Sequence, residues 1–151
     1  NDGRRLPLTI LRRSDTPAGE QVISASIAKQ VRGMLELAVS DEGTGRNARI
    51  PMYHVAGKTG TSRKAEGKGY SKYYNAVFAG MAPASKPRLA MVVVVNEPSA
   101  GKYYGGTVAA PVFASVMTGA LRLLDVAPDD ISTDRLLMAA GENVASQEGD
   151  R

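Results

Sequence analysis

The chain has 151 residues, 43% hydrophobic and 23% charged, which suits one packed domain or a large piece of one and argues against disorder. It has no cysteine and a single histidine, His54, which excludes disulfides, thiol catalysis and a multi-histidine metal centre; no metal and no cofactor is expected. The net charge of +4 is uneven: residues 1–127 hold seventeen Lys and Arg against nine Asp and Glu, a balance of +8, and residues 128–151 hold two against six, a balance of −4. The basic residues are scattered, with no dense run and no interleaved aromatics. Nucleic acid could explain such a basic body, an anionic small substrate or wall polymer fits it equally well, and no nucleic-acid partner is expected.

The longest strictly apolar run, Leu89–Val95, is far shorter than the roughly 20 residues a membrane-spanning helix needs. Nothing at the start resembles a signal peptide, so any membrane anchor is expected outside these residues.

In chain order, Leu6–Leu11 reads as one short strand. Residues 24–39 read as a helix, because Ile27, Val31, Met34, Leu35, Ala38 and Val39 recur at helical spacing. Ser24 suits its N-cap, and Gly43 and Gly45 end the element. Met52–Thr61 is expected to be a strand, with Pro51 at its start. A loop is expected over 62–73, followed by a strand over Asn75–Ala84. Ser85-Lys86-Pro87 then turns the chain into another strand, Arg88–Asn96, whose valines suit burial on both faces. The short turn implies an antiparallel hairpin.

After a loop around 97–106, a helix is expected over Val108–Leu124. Its apolar stripe is Val112, Phe113, Val116, Met117, Ala120, Leu121 and Leu124, with Thr107 as cap and Pro111 in the first turn. Residues 128–151 read as an acidic, weakly ordered tail, apart from a possible turn near Leu136–Met138. The fold class is α+β: an antiparallel sheet covered by helices, with 1–127 as the folded part.

The most pointed chemistry lies in "HVAGKTGTSRK", residues 54–64. Gly57-Lys58-Thr59 matches the end of a phosphate loop. That motif also needs a glycine at position 52, which is Met52, and a helix start after the threonine. A second reading is an ordinary exposed strand whose glycines mark bulges or close approach. A third is a strand lining an acyl-transfer site. There Lys58 would supply fixed positive charge, Thr59 and Thr61 hydroxyls would hold a carboxylate, and Gly60 would let substrate lie against the strand. The Thr61 N–H would help stabilise an oxyanion.

Context favours the third reading. Lys-Thr-Gly is one of three motifs shared by penicillin-binding proteins and serine β-lactamases, with Ser-x-x-Lys and Ser-Asp-Asn. "YHVAGKTGTSRK", "NAVFAGMAP", the valine-rich strand, "YYGG" and "AAPVFASVM" follow one another in order. From about Val22 to Pro128 the chain resembles the C-terminal part of class B penicillin-binding proteins, and within them the septal cell-division D,D-transpeptidase of Gram-negative bacteria.

The resemblance implies the penicilloyl serine transferase fold, C-terminal portion only. It implies a serine acyl-enzyme that cross-links peptidoglycan stem peptides at the septum and is acylated by β-lactams. Lys58, Thr59, Gly60 and Thr61 take the catalytic edge. Arg63 would reach a carboxylate, and Tyr74, Tyr103 and Tyr104 would form an aromatic wall. Division proteins are the expected partners, and the location expected is the periplasmic side of an inner-membrane-anchored protein.

Two motifs of the family are missing in their expected form. Ser26-Ile-Ala-Lys29 matches Ser-x-x-Lys, but it lies under thirty-five residues before Lys58, where the family has well over a hundred. Lys29 also falls opposite the apolar stripe, whereas a lysine serving as base must be buried beside its serine. Ser40-Asp41-Glu42 lacks the asparagine of the second motif. His54 reads as a structural strand residue. The nucleophile is therefore expected on a preceding segment, as a companion fragment of the same protein or across a break. A D,D-carboxypeptidase, a serine β-lactamase-like hydrolase and a non-catalytic peptidoglycan-binding module remain open as alternatives.

Overall fold

The computed structural model describes residues 2–11, 14–15, 17–67 and 69–131. Its elements are β1 (Arg4–Arg5), β2 (Glu20–Gln21), α1 (Ala25–Leu37), a short 3-10 turn (Arg46–Ala48), β3 (Ala56–Glu66), β4 (Gly69–Ala82), β5 (Leu89–Asn96) and α2 (Gly105–Leu123). β1 and β2 form a small antiparallel ribbon. The main sheet has the order β3-β4-β5, antiparallel throughout.

The core lies where α2 packs on one face of this sheet. Phe78 on β4 meets Phe113 on α2 edge to face, with ring centroids 4.8 Å apart. Met117 and Leu121 continue the buried row along the helix, and Val39, Ile50, Val55 and Val126 close its ends. Helix α2 is long and apolar enough to cross a membrane by length and composition alone, but the row Ala109, Phe113, Met117, Leu121 is buried against the sheet. Val112, Val116 and Leu124, expected in the same stripe, are exposed. They lie beside the row that meets the sheet.

Several expected elements differ in extent. Leu6–Leu11 is not a strand: Thr9 bonds locally to Leu11, and Leu8 and Ile10 are fully exposed. The pairing residues are the polar ones to either side of it, Arg4–Arg5 with Glu20–Gln21. Helix α1 forms as expected, and the Ser24 hydroxyl accepts from the Ile27 N–H at 3.3 Å. None of its residues is buried.

β3 begins at Ala56 rather than Met52, because residues 50–53 close a tight turn with Met52 at φ +68°. β3 then runs past Thr61 to Glu66, so 62–73 is a hairpin rather than a loop. Gly67, at φ +58°, makes its turn. Polar side chains on both faces hide such a ribbon from a period-two reading. β5 is not buried on both faces. Met91, Val93 and Val95 turn inward, whereas Val92 and Val94 are 64% and 60% exposed.

The segment after α2 is tied back to the start of β3. Asp129 accepts from the N–H groups of His54 at 2.8 Å and Ser85 at 3.1 Å. The Asp130 N–H donates to the Met52 carbonyl, and the Tyr53 hydroxyl to that of Val126. A carboxylate can satisfy two converging backbone donors that cannot pair with each other. The rest of the expected tail, 132–151, including the turn near Leu136–Met138, lies outside the described residues.

Candidate active site

Strand alternation divides the predicted site between two faces. Directly paired residues in an antiparallel ladder share a face. Thr59 pairs with Phe78, Thr61 with Ala76 and Arg63 with Tyr74, so these three lie on the face that α2 covers. Lys58 pairs with Ala79 and Gly60 with Val77, on the opposite face. That opposite face is open. A groove of about 380 Å³ runs along it, lined by Leu35, Lys58, Ala79, Met81, Ala90 and Val92. The lysine nevertheless reaches round the strand. Its Nζ donates to the Thr59 carbonyl at 3.1 Å and to Thr59 Oγ1 at 3.3 Å.

The covered face is held by the start of α2. The Gly105 N–H, one of the helix's orphan donors, donates to Thr61 Oγ1 at 3.0 Å. The strand thus caps the helix from outside, which explains why α2 begins at Gly105 and not Val108. Thr107 is not the cap, and Pro111 falls in the second turn instead of the first. The close approach requires glycine. A Cβ on Gly105 would lie 2.2 Å from the Val77 carbonyl oxygen and 2.4 Å from that of Gly60. A Cβ on Gly106 would lie 2.2 Å from the Thr44 carbonyl oxygen. Thr44 Oγ1 is 3.1 Å from Thr59 Oγ1, and Asn47 Nδ2 donates to the Gly106 carbonyl at 2.8 Å.

The predicted aromatic residues do come together. Tyr74 stacks on Tyr103 with centroids 4.2 Å apart, and Tyr103 tilts against Tyr104 at 4.5 Å. Arg63 lies over the Tyr74 ring and its Nε donates to the Tyr74 hydroxyl at 3.2 Å. Lys64 pairs with Glu97, which ties the hairpin to the loop that carries Tyr103. The Tyr103 hydroxyl donates to that of Tyr104, and this bond, with the charge Tyr104 would carry, raises the Tyr103 pKa above the ordinary phenol value.

Lys58 therefore meets Thr59, Thr59 and Thr61 line one pocket with Tyr104, and Arg63 lies further along the same face with the Tyr74–Tyr103–Tyr104 stack. Ser26 lies in the first turn of α1 with its hydroxyl 3.0 Å from that of Ser24, and Lys29 is exposed. Thr44 and Asn47 have no signal of their own in the sequence, and Gly105 and Gly106 enter there only as part of the YYGG run. The signal available was the pairing of two short glycine runs, Gly43-Thr44-Gly45 and Gly105-Gly106, but nothing in the sequence says that they meet.

The family model of the penicillin binding protein transpeptidase domain matches residues 1–118. This chain belongs to the transpeptidase domain family of class B penicillin-binding proteins.

Within the family, it is 45% identical over 132 residues to the probable peptidoglycan D,D-transpeptidase PbpC of Pseudomonas aeruginosa, covering 87% of this chain and 23% of that protein. It is 46% identical over 128 residues to the peptidoglycan D,D-transpeptidase FtsI of Escherichia coli, covering 84% of this chain and 22% of that protein. The apo transpeptidase domain of penicillin-binding protein 3 from Burkholderia pseudomallei superposes with a TM-score of 0.77 at 44% identity. That match covers 85% of this chain and 40% of the solved one. The fold is thus that of a penicillin-binding transpeptidase domain, the penicilloyl serine transferase fold, and the chain spans under a quarter of the length of these two curated relatives.

Proposed function

We propose that this chain supplies the Lys-Thr-Gly wall of a peptidoglycan D,D-transpeptidase that cross-links stem peptides at the division septum. The observation that carries this reading is the Lys58 ammonium held against Thr59, whose hydroxyl shares one face of β3 and one pocket with that of Thr61. A carboxylate needs such a set of donors, and all three are on one short strand.

In this reading the nucleophile is a serine on a part of the protein outside this chain. That part packs against the open face on which Lys58 sits. The serine hydroxyl attacks the carbonyl of the penultimate D-Ala of a stem peptide, forming an ester and releasing the terminal D-Ala. The amine of an acceptor stem peptide then attacks the ester, forming the cross-link and returning the serine. Lys58 supplies positive charge and supports proton transfer during both steps.

Thr61 Oγ1 already accepts from Gly105, so its own proton is free for the donor's terminal carboxylate. The Thr61 N–H contributes to the oxyanion hole. Gly60 lets the peptide lie close, Arg63 supplies further charge, and Tyr74, Tyr103 and Tyr104 meet apolar groups. β-Lactams follow the first step only, opening their ring on the serine with no leaving group. In this reading the domain works on the periplasmic side of the inner membrane, in the company of division proteins.

Labelling with a fluorescent penicillin tests the reading. The whole protein should be acylated, and Lys58→Ala should slow acylation roughly 10²- to 10³-fold. This chain alone should not be labelled. Labelling of the isolated chain would move the nucleophile to a residue within it, and an inert whole protein would make the fold a binding module. Product analysis with stem peptides should show cross-links in place of simple loss of D-Ala.

A further inference from the structure

We infer that Thr44 is a positioning residue, which turns the Thr59 hydroxyl proton outward toward a substrate carboxylate. The inference rests on the reading that Thr59 meets that carboxylate, and it adds a residue from a different part of the fold.

The argument is one of donors and acceptors. An ammonium group only donates, so in the contact at 3.3 Å Thr59 Oγ1 must accept from Lys58 Nζ. A threonine oxygen has two acceptor positions and one proton. The second neighbour of Thr59 Oγ1 is Thr44 Oγ1, at 3.1 Å. If Thr44 donates, both acceptor positions on Thr59 are filled by the protein and its own proton points outward. If Thr59 donated to Thr44 instead, it would have no proton left for a carboxylate, which only accepts. Thr61 has the same wiring, because its oxygen accepts from the Gly105 N–H. Both hydroxyls are thereby set to donate to whatever anion approaches.

Thr44 is itself held firmly enough to do this. Its loop is pinned to the end of α1 by the Gly43 N–H on the Ser40 carbonyl and the Gly45 N–H on the Ala38 carbonyl. On the other side it is pinned to α2 by Asn47 on the Gly106 carbonyl. The Thr44 carbonyl occupies the space that a side chain at 106 would need, so the loop and the helix start move together. Thr44 lines the same pocket as Thr59 and Thr61. It acts through Thr59.

The test uses the whole protein and two probes, a fluorescent penicillin with its free carboxylate and the same compound as its methyl ester. Thr44→Val keeps the shape and removes the hydroxyl. It should slow acylation by the free acid roughly 5- to 10-fold, through a higher half-saturating concentration and with the maximal rate little changed. Thr44→Ser should restore the rate to within about twofold, since it restores the hydroxyl. The ester should react alike with wild type and Thr44→Val. Thr59→Val serves as the reference and should separate acid from ester at least as strongly.

Unchanged melting temperatures keep a folding defect apart from these effects. Equal slowing of acid and ester by Thr44→Val would overturn the inference, as would no slowing when Thr59→Val still separates the probes. If Thr59→Val itself does not separate them, the carboxylate reading of Thr59 falls and takes the role of Thr44 with it.

Discussion

The two faces of β3 differ in how completely this chain builds them. The face carrying Thr59, Thr61 and Arg63 is backed by α2, by the Thr44 loop and by the tyrosine stack, with a hydrogen bond or ring contact at each of its side chains. The face carrying Lys58 opens onto exposed Ala79, Val92 and Val94, beside a helix α1 that buries none of its residues. An apolar sheet face left open in this way is a surface on which another part of a protein can pack. The contrast teaches that this chain alone builds the surroundings of Thr59 and Thr61, whereas it leaves those of the lysine open.

Four measurements break or sharpen that contrast. Phe113→Ala removes the ring that meets Phe78 beneath the covered face and should cost about 3–5 kcal/mol, read as a large fall in the melting temperature of the whole protein. Val94→Lys probes the other face. If the rest of the domain covers it, the whole protein should lose upwards of ~2 kcal/mol, whereas a lysine left in water would change stability by less than about 0.5 kcal/mol. Gly105→Ala forces a methyl group against two carbonyl oxygens and should cost about 1–3 kcal/mol; because it pushes α2 off Thr61, it should also slow acylation by penicillin. The smallest effect is at the rim. Tyr104→Phe removes the hydroxyl that accepts from Tyr103, so a spectrophotometric titration should show the Tyr103 pKa falling toward the ordinary phenol value.

Much of this architecture was legible in the sequence because it rests on local periodicity. Helix α1 with its Ser24 cap, the β4–β5 hairpin and the Phe113, Met117 and Leu121 part of the buried row of α2 follow from spacing within one element. The Lys-Thr-Gly-Thr strand and the tyrosines were legible through their order along the chain. The rest depends on contacts between distant segments, which no local pattern encodes. The start of α2 was misplaced because its cap is Thr61, forty-four residues upstream. The approach of Thr44 to Thr59 is likewise one that no local pattern encodes. Asp129 looked like one more acid in an acidic stretch, yet it joins His54 to Ser85. The 62–73 hairpin was hidden because a two-stranded ribbon with water on both sides has no apolar face to alternate.

The irregularity in that hairpin also marks where the domain tolerates change. The ladder is regular from Ala56 to Arg63 and slips before Ala65, where Arg63 pairs with Tyr74 but Ala65 pairs with Tyr70. Adding or deleting one residue upstream of the slip would exchange the faces of Lys58 and Thr59 and dismantle the site. The same change beyond it is absorbed, since register there is already uncoupled from the site. The tip between Glu66 and Gly69 is therefore a natural splice point, where a tag, a reporter loop or a binding epitope can be grafted within reach of the active end without altering its geometry.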